Sequence, residues 1–156
     1  MNSVHKPPVV PELRHEVSVF LAGTIDNGNS VDWQAKLTSD LSDLSIDILN
    51  PRRDNWDPTL EQSASNPVFR AQVEWELDAL ADTAGIIFMY FAPGSLSPIT
   101  LLELGLHAGD LPIVVCPEGF WRKGNVDIVG EQYGFPVFNT LEDGIAALRT
   151  AIGDIL

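Results

Sequence analysis

Glu103 is the one charge in an otherwise apolar run, set among Leu101, Leu102, Leu104 and Leu106. A carboxylate in apolar surroundings is the kind of group that serves as a nucleophile or acid–base catalyst, because partial desolvation perturbs its ionisation. A plainer reading exists. Thr100, Glu103 and His107 recur at helical spacing and would form the polar stripe of an amphipathic helix facing water. Periodicity leaves both readings open. Four further acids, Glu74, Glu76, Asp78 and Asp82, stand close together, and carboxylates so crowded raise one another's proton affinity unless they face different ways. Glu74 and Asp78 share a helix side while Glu76 points roughly opposite, so at most one pair serves a common site.

Other residue types suggest ligand contacts rather than chemistry. The adjacent pairs Arg52-Arg53 and Arg122-Lys123 suit a phosphate, or are solvated loop charges. Of the four tryptophans, Trp33 and Trp75 read as packing residues, whereas Trp56 and Trp121 fall on loops and are the better platforms for stacking a base. His107 and the single cysteine, Cys116, have no partner in view and read as structural. No Cys/His cluster has zinc spacing, and no Walker loop, G-x-G-x-x-G or G-x-S-x-G element occurs. A Cys/His zinc site, nucleotide hydrolysis, dinucleotide redox and serine hydrolysis lose their usual support.

The elements that must position these residues alternate between strand and helix. Val17 to Ala22 reads as a buried strand, closed by Gly23 and a polar stretch to Ser30, a plausible N-cap for a helix with Trp33, Leu37, Leu41 and Leu44 on its apolar face. Ile46 to Leu49 makes a second strand. A long loop from Asn50 to Asn66 follows, and Asn66-Pro67 reads as cap and first turn of a helix carrying Phe69, Val73, Leu77 and Leu80. Ala84 to Phe91, without alternation, reads as a central strand covered on both faces. Ser97-Pro98 opens the Glu103 helix, which Gly109 should end. Leu111 to Cys116 and Pro136 to Phe138 give two more strands, and Thr140 to Leu156 a last helix. Five strands alternating with helices imply a flavodoxin-like, doubly wound parallel sheet in the order 2-1-3-4-5. Ligands bind such sheets beyond the carboxyl ends of the strands, near the switch in strand order. The loops 23–30, 50–66 and 92–97 are thereby selected.

Size and charge fit that picture. The 156 residues, 45% hydrophobic, suffice for one well-buried core, expected over 17–156 after a loose leader at 1–16. The leader has no apolar segment of the signal-peptide kind, no run approaches membrane-helix length, and one cysteine excludes an internal disulfide, so a reducing cytosol fits best. A net charge of −13 disfavours a nucleic acid polymer as partner, since affinity for its backbone comes mostly from Lys and Arg. Small ligands remain open.

FLAGTID after the first strand, NPRRDNWDP after the second, QVEWELDALAD, SPITLLELG and FWRKGNVDIVG together resemble the nucleoside 2-deoxyribosyltransferase-like proteins, over roughly residues 17–130. In that family the glutamate of the ELG motif is the nucleophile, which implies this role for Glu103. The family's acid eight positions before the aspartate preceding the third strand matches Glu74, standing eight before Asp82. The asparagine that orients the nucleophile, sometimes from a neighbouring subunit, matches Asn125. One departure stands out: the best-known transferases carry a base-contacting aspartate where this chain has Ser97. The resemblance implies a flavodoxin-like fold, a homo-oligomer, a small nucleoside or nucleotide with a nucleobase as partners, and no metal or organic cofactor. It also implies a double displacement: Glu103 attacks C1′ of a 2′-deoxynucleoside, Glu74 contacts or protonates the base, Asn125 bonds Glu103, and Gly23, Thr24 and Asp26 approach sugar or base, glycine letting the backbone come close. Arg53, Trp56 and Ser97 complete the expected binding set. Two alternatives are an N-glycosidase acting on a nucleoside or its 5′-monophosphate, with Arg52-Arg53 or Arg122-Lys123 on the phosphate, and a non-catalytic nucleotide-sensing module.

Overall fold

The computed structural model describes residues 1–25, 30–55 and 57–156. Its elements in chain order are β1 (Ser3–His5), β2 (Ser18–Gly23), α1 (Trp33–Asp40), β3 (Asp47–Leu49), α2 (Pro67–Asp78), β4 (Ile86–Tyr90), α3 (Pro98–His107), β5 (Ile113–Val115), α4 (Lys123–Tyr133), β6 (Val137–Phe138) and α5 (Leu141–Ile155). The strands form one sheet in the order β1-β3-β2-β4-β5-β6, every pairing parallel. The expected five-stranded sheet of order 2-1-3-4-5 is therefore corrected to six strands. The addition comes from within the segment read as a loose leader, where Ser3–His5 pairs with Asp47–Leu49 at the sheet edge.

A buried acid explains that attachment. Asp47 is fully buried, and its carboxylate accepts from the His5 ring at 2.6 Å and from the Arg14 and His15 backbone N–H groups at 2.9 and 2.7 Å. Burial alone would raise its proton affinity, yet these donors hold it below the usual carboxylate range. Trp75 adds a second tie by donating its indole N–H to the Val9 carbonyl at 2.8 Å.

The sheet is covered on both faces, as a parallel sheet must be. Phe20, Ile87, Met89 and Val114 meet Trp75 and Ala79, Leu104 and Ala108, and Val126, so α2, α3 and α4 lie on one side. Val19, Leu21, Phe88 and Val115 meet Trp33, Leu37, Ile145, Leu148 and Ile152, placing α1 and α5 on the other. β4 feeds both layers, as its unbroken apolar run predicts. Asn66 caps α2 ahead of Pro67, accepting from Val68 and Phe69 N–H, and Thr140 accepts from Asp143 N–H to open α5. Asp32, rather than Ser30, caps α1 through Ala35 N–H. The chain leaves the turn after α3 at Leu111, in the left-handed region with φ 53°, not at Gly109. Among the described residues no helix is long and apolar enough to cross a membrane.

Candidate active site

α3 is folded inside out relative to its composition. Leu104 and Ala108, one turn apart, pack on the sheet and fix the helix rotation. That rotation carries Thr100 and Glu103 inward, at 3% and 7% exposure, while Ile99, Leu102 and Leu106 face out at 59%, 58% and 57%. The solvent-facing polar stripe considered for Thr100, Glu103 and His107 is thus excluded. Among the described residues no hydrogen-bond donor reaches the Glu103 carboxyl, and burial pushes its pKa up to about 8, with the nearby Glu76 carboxylate adding to the rise.

Glu76 reaches the same site from α2. Trp75 and Ala79, buried against the sheet, set the α2 rotation and turn Glu76 inward to a half-buried position. Burial raises its carboxyl to about 7, opposed by a hydrogen bond from Gln72 and by the Arg53 charge. Glu74 lies on the other side of the helix, exposed and paired with Arg70 at 2.5 Å, and is not brought to Glu103. With Glu76 raised to about 7 and Glu103 to about 8, Glu76 ionises first and Glu103 keeps its proton over the interval between. Such a pair combines a carboxylate with an acid.

A knot of hydroxyls sits beside the switch in strand order. Thr24, at the carboxyl end of β2, bonds Ser95 at 3.1 Å and Ser97 at 2.6 Å, and Ser95 bonds Ser97 at 2.9 Å; all three are buried. Thr24 Oγ1 also accepts from Ala92 N–H, and Ser95 Oγ donates to the Ala92 carbonyl, which ties the knot to the end of β4. Ser97 stands at the N-cap of α3, as expected, and its carbonyl accepts from Leu101 N–H, but its hydroxyl is taken up by the knot and does not cap the helix. Its backbone is left-handed at φ 44°, an unfavourable conformation for a residue with a side chain, held here by the bonds of its hydroxyl.

The remaining expected site residues have distinct placements. Gly23 is required by packing, since a Cβ there would lie 2.5 Å from the Tyr90 carbonyl oxygen and 2.6 Å from Trp33 Cζ2. Arg53 donates Nε–H to Gln72 Oε1, joining the loop after β3 to the Glu76 side of the site. Its neighbour Arg52 is buried and donates to the Ser30 and Val31 carbonyls and to Gln34, clamping the loop before α1. Lys123 donates to the Cys116 carbonyl, Asp127 and Asn139, and the Arg122 guanidinium covers the Trp121 ring at 4.4 Å. Both basic pairs are thus engaged within the chain. Asn125 is exposed in the first turn of α4 and makes no hydrogen bond to Glu103. Asp26 and Trp56 lie outside the described residues. Sequence reasoning passed over Gln72 and Ser95; the signal for Gln72 was its position one turn before Glu76 and in phase with it.

A protein-family model described as nucleoside 2-deoxyribosyltransferase like matches residues 16–120, which spans β2 through the loop after β5 and includes Glu76, Ser97 and Glu103. The chain belongs to that family. Comparison with curated proteins finds no match. Membership of the nucleoside 2-deoxyribosyltransferase like family points to glycosyl transfer or a related hydrolysis, and both Glu76 and Glu103 fall within the matched residues. Asn125 lies beyond them.

Proposed function

We propose that the protein transfers a 2-deoxyribosyl group between nucleobases through a covalent ester on Glu103. The observation that carries this reading is the orientation of α3. A helix that turns its one glutamate inward leaves Ile99, Leu102 and Leu106 more than half exposed, forgoing part of the about 1.5–3 kcal/mol that full burial of each would contribute, and buries a carboxyl in their place.

In the first step a Glu103 oxygen bonds C1′ as the C1′–N bond breaks, the electron pair leaving with the base, whose nitrogen takes the proton from Glu76. In the second, a ring nitrogen of the acceptor base attacks C1′, the ester C–O bond breaks, Glu103 regains its carboxylate, and the acceptor's proton passes to Glu76. One proton on two carboxyls is the working state at the beginning and the end. The raised values of about 8 and about 7 support one proton on the pair near neutral pH, held at rest by Glu103, so that proton passes to Glu76 before Glu103 attacks. Thr24, Ser95 and Ser97 are proposed to line the mouth toward sugar and base, and Arg53 to hold the adjoining loop. Asn125, exposed and without a bond to Glu103, is proposed to complete the site from a neighbouring copy, the arrangement implied by the family resemblance.

The test is incubation with deoxynucleosides and second bases, with and without 5′-phosphate, for the natural protein and Glu103→Gln. Base exchange that disappears in the variant supports transfer. Free sugar alone would instead make the protein a hydrolase, and tight binding without product a sensing module.

A further inference from the structure

Gln72 occupies a position that the proposed chemistry leaves unassigned. It is 8% exposed, lies one turn before Glu76 on the inner face of α2, and touches three groups at once. Its Oε1 accepts from Arg53 Nε–H, and its Nε2 donates to the Pro51 carbonyl at 3.1 Å and to Glu76 Oε1 at 3.0 Å. Two of these contacts fix the amide without ambiguity. A guanidinium N–H can only donate and a backbone carbonyl can only accept, so oxygen must face Arg53 and nitrogen must face Pro51. The second N–H is then directed at Glu76, and that oxygen can only accept.

We infer that Gln72 is a positioning residue that holds Glu76 toward Glu103 and favours its charged form, so that in the empty site the shared proton resides on Glu103. This deepens the proposed function and rests on it only for the catalytic meaning of the pair. A fixed donor stabilises a carboxylate more than a neutral carboxyl. The direction agrees with the opposing influence of Gln72 on the raised Glu76 carboxyl. Arg53 and Pro51 belong to the loop after β3, so the amide also links the placement of that loop to the charge on Glu76. A substrate that displaces Arg53 would free the amide to rotate and release its hold on the carboxylate.

The test reads protonation directly and needs no turnover. Glutamate carboxyl carbons are labelled with 13C and titrated by NMR in the natural protein and in Gln72→Met, which keeps volume and removes both donor and acceptor. Loss of a hydrogen bond to a charged group is worth about 1.5–3 kcal/mol, so the Glu76 midpoint should rise by about 1 to 2 pH units in the variant. Should that variant fold poorly, the natural protein still decides the matter, because the Gln72 side-chain amide protons should titrate with the Glu76 midpoint. An unchanged Glu76 midpoint in folded Gln72→Met, or amide protons indifferent to Glu76, would overturn the assignment. Neither outcome depends on whether Glu103→Gln abolishes base exchange, so failure here is distinct from failure of the proposed function.

Discussion

Replacing Glu103 by glutamine should make the protein more stable at high pH while abolishing its chemistry. The folded-state carboxyl is raised from 4.5 to about 8, so between those limits the native protein binds a proton that the unfolded chain releases. With a folded value above the unfolded one, the stabilising difference is fully present below pH 4.5 and is lost as pH rises through about 8. At about 1.4 kcal/mol per pH unit, the natural protein loses up to about 5 kcal/mol over that interval through this one group. The figure is a ceiling, because part of the rise comes from Glu76 and water entering the crevice reduces the cost of ionisation. The glutamine variant has no charge to bury. Its unfolding free energy should match that of the natural protein near pH 4.5 and exceed it by several kcal/mol at pH 9, approaching that ceiling. Urea unfolding of both proteins at pH 4.5, 7 and 9 measures this. A difference that stays constant with pH would refute the claim that Glu103 is buried and proton-bound in the resting fold.

Three further outcomes follow from the same geometry. Glu76→Gln removes the like charge that helps to raise Glu103, so a 13C titration should show the Glu103 midpoint lowered, and base exchange should slow by about 10²–10⁴-fold through loss of the general acid. Gly23→Ala should destabilise the fold by about 1–3 kcal/mol or more in thermal unfolding, because the added methyl meets a backbone carbonyl and the Trp33 ring at under 3 Å. Ser97→Ala should cost more stability than Ser97→Gly, by about 1 kcal/mol, since both lose the hydroxyl knot but only glycine adopts φ 44° without strain. Equal losses in the two Ser97 variants would show that the left-handed backbone stores no strain.

Much of the architecture was legible because local chemistry and tertiary role agree. Asn66 before Pro67 caps α2 for reasons written in adjacent residues, and the unbroken apolar run of β4 demands cover on two faces. The N-terminal strand was hidden because only three residues form it. Its attachment depends on Asp47, an acid far along the chain whose burial no local pattern signals. Ser97 was legible only in part for a similar reason: next to Pro98 it stands at the helix N-cap as its sequence suggests, yet its hydroxyl bonds Thr24, at the end of a distant strand, instead of the helix. The rotation of α3 was invisible because leucines surround Glu103 on every side, so hydrophobicity does not select a face. Two core contacts, Leu104 and Ala108, select it instead. On α2 the buried indole of Trp75 turns Glu76 in and Glu74 out, a choice that sequence spacing left undecided.

The central claim is that Glu103 forms the bond to C1′. Rapid acid quench of the protein turning over a 2′-deoxynucleoside, followed by peptide mass spectrometry, tests it at the atom concerned. The account predicts one deoxyribosyl group on the peptide containing Glu103, absent from Glu103→Gln and discharged when an acceptor base is added. Base exchange proceeding with that peptide unmodified, or with the sugar attached elsewhere, would contradict it.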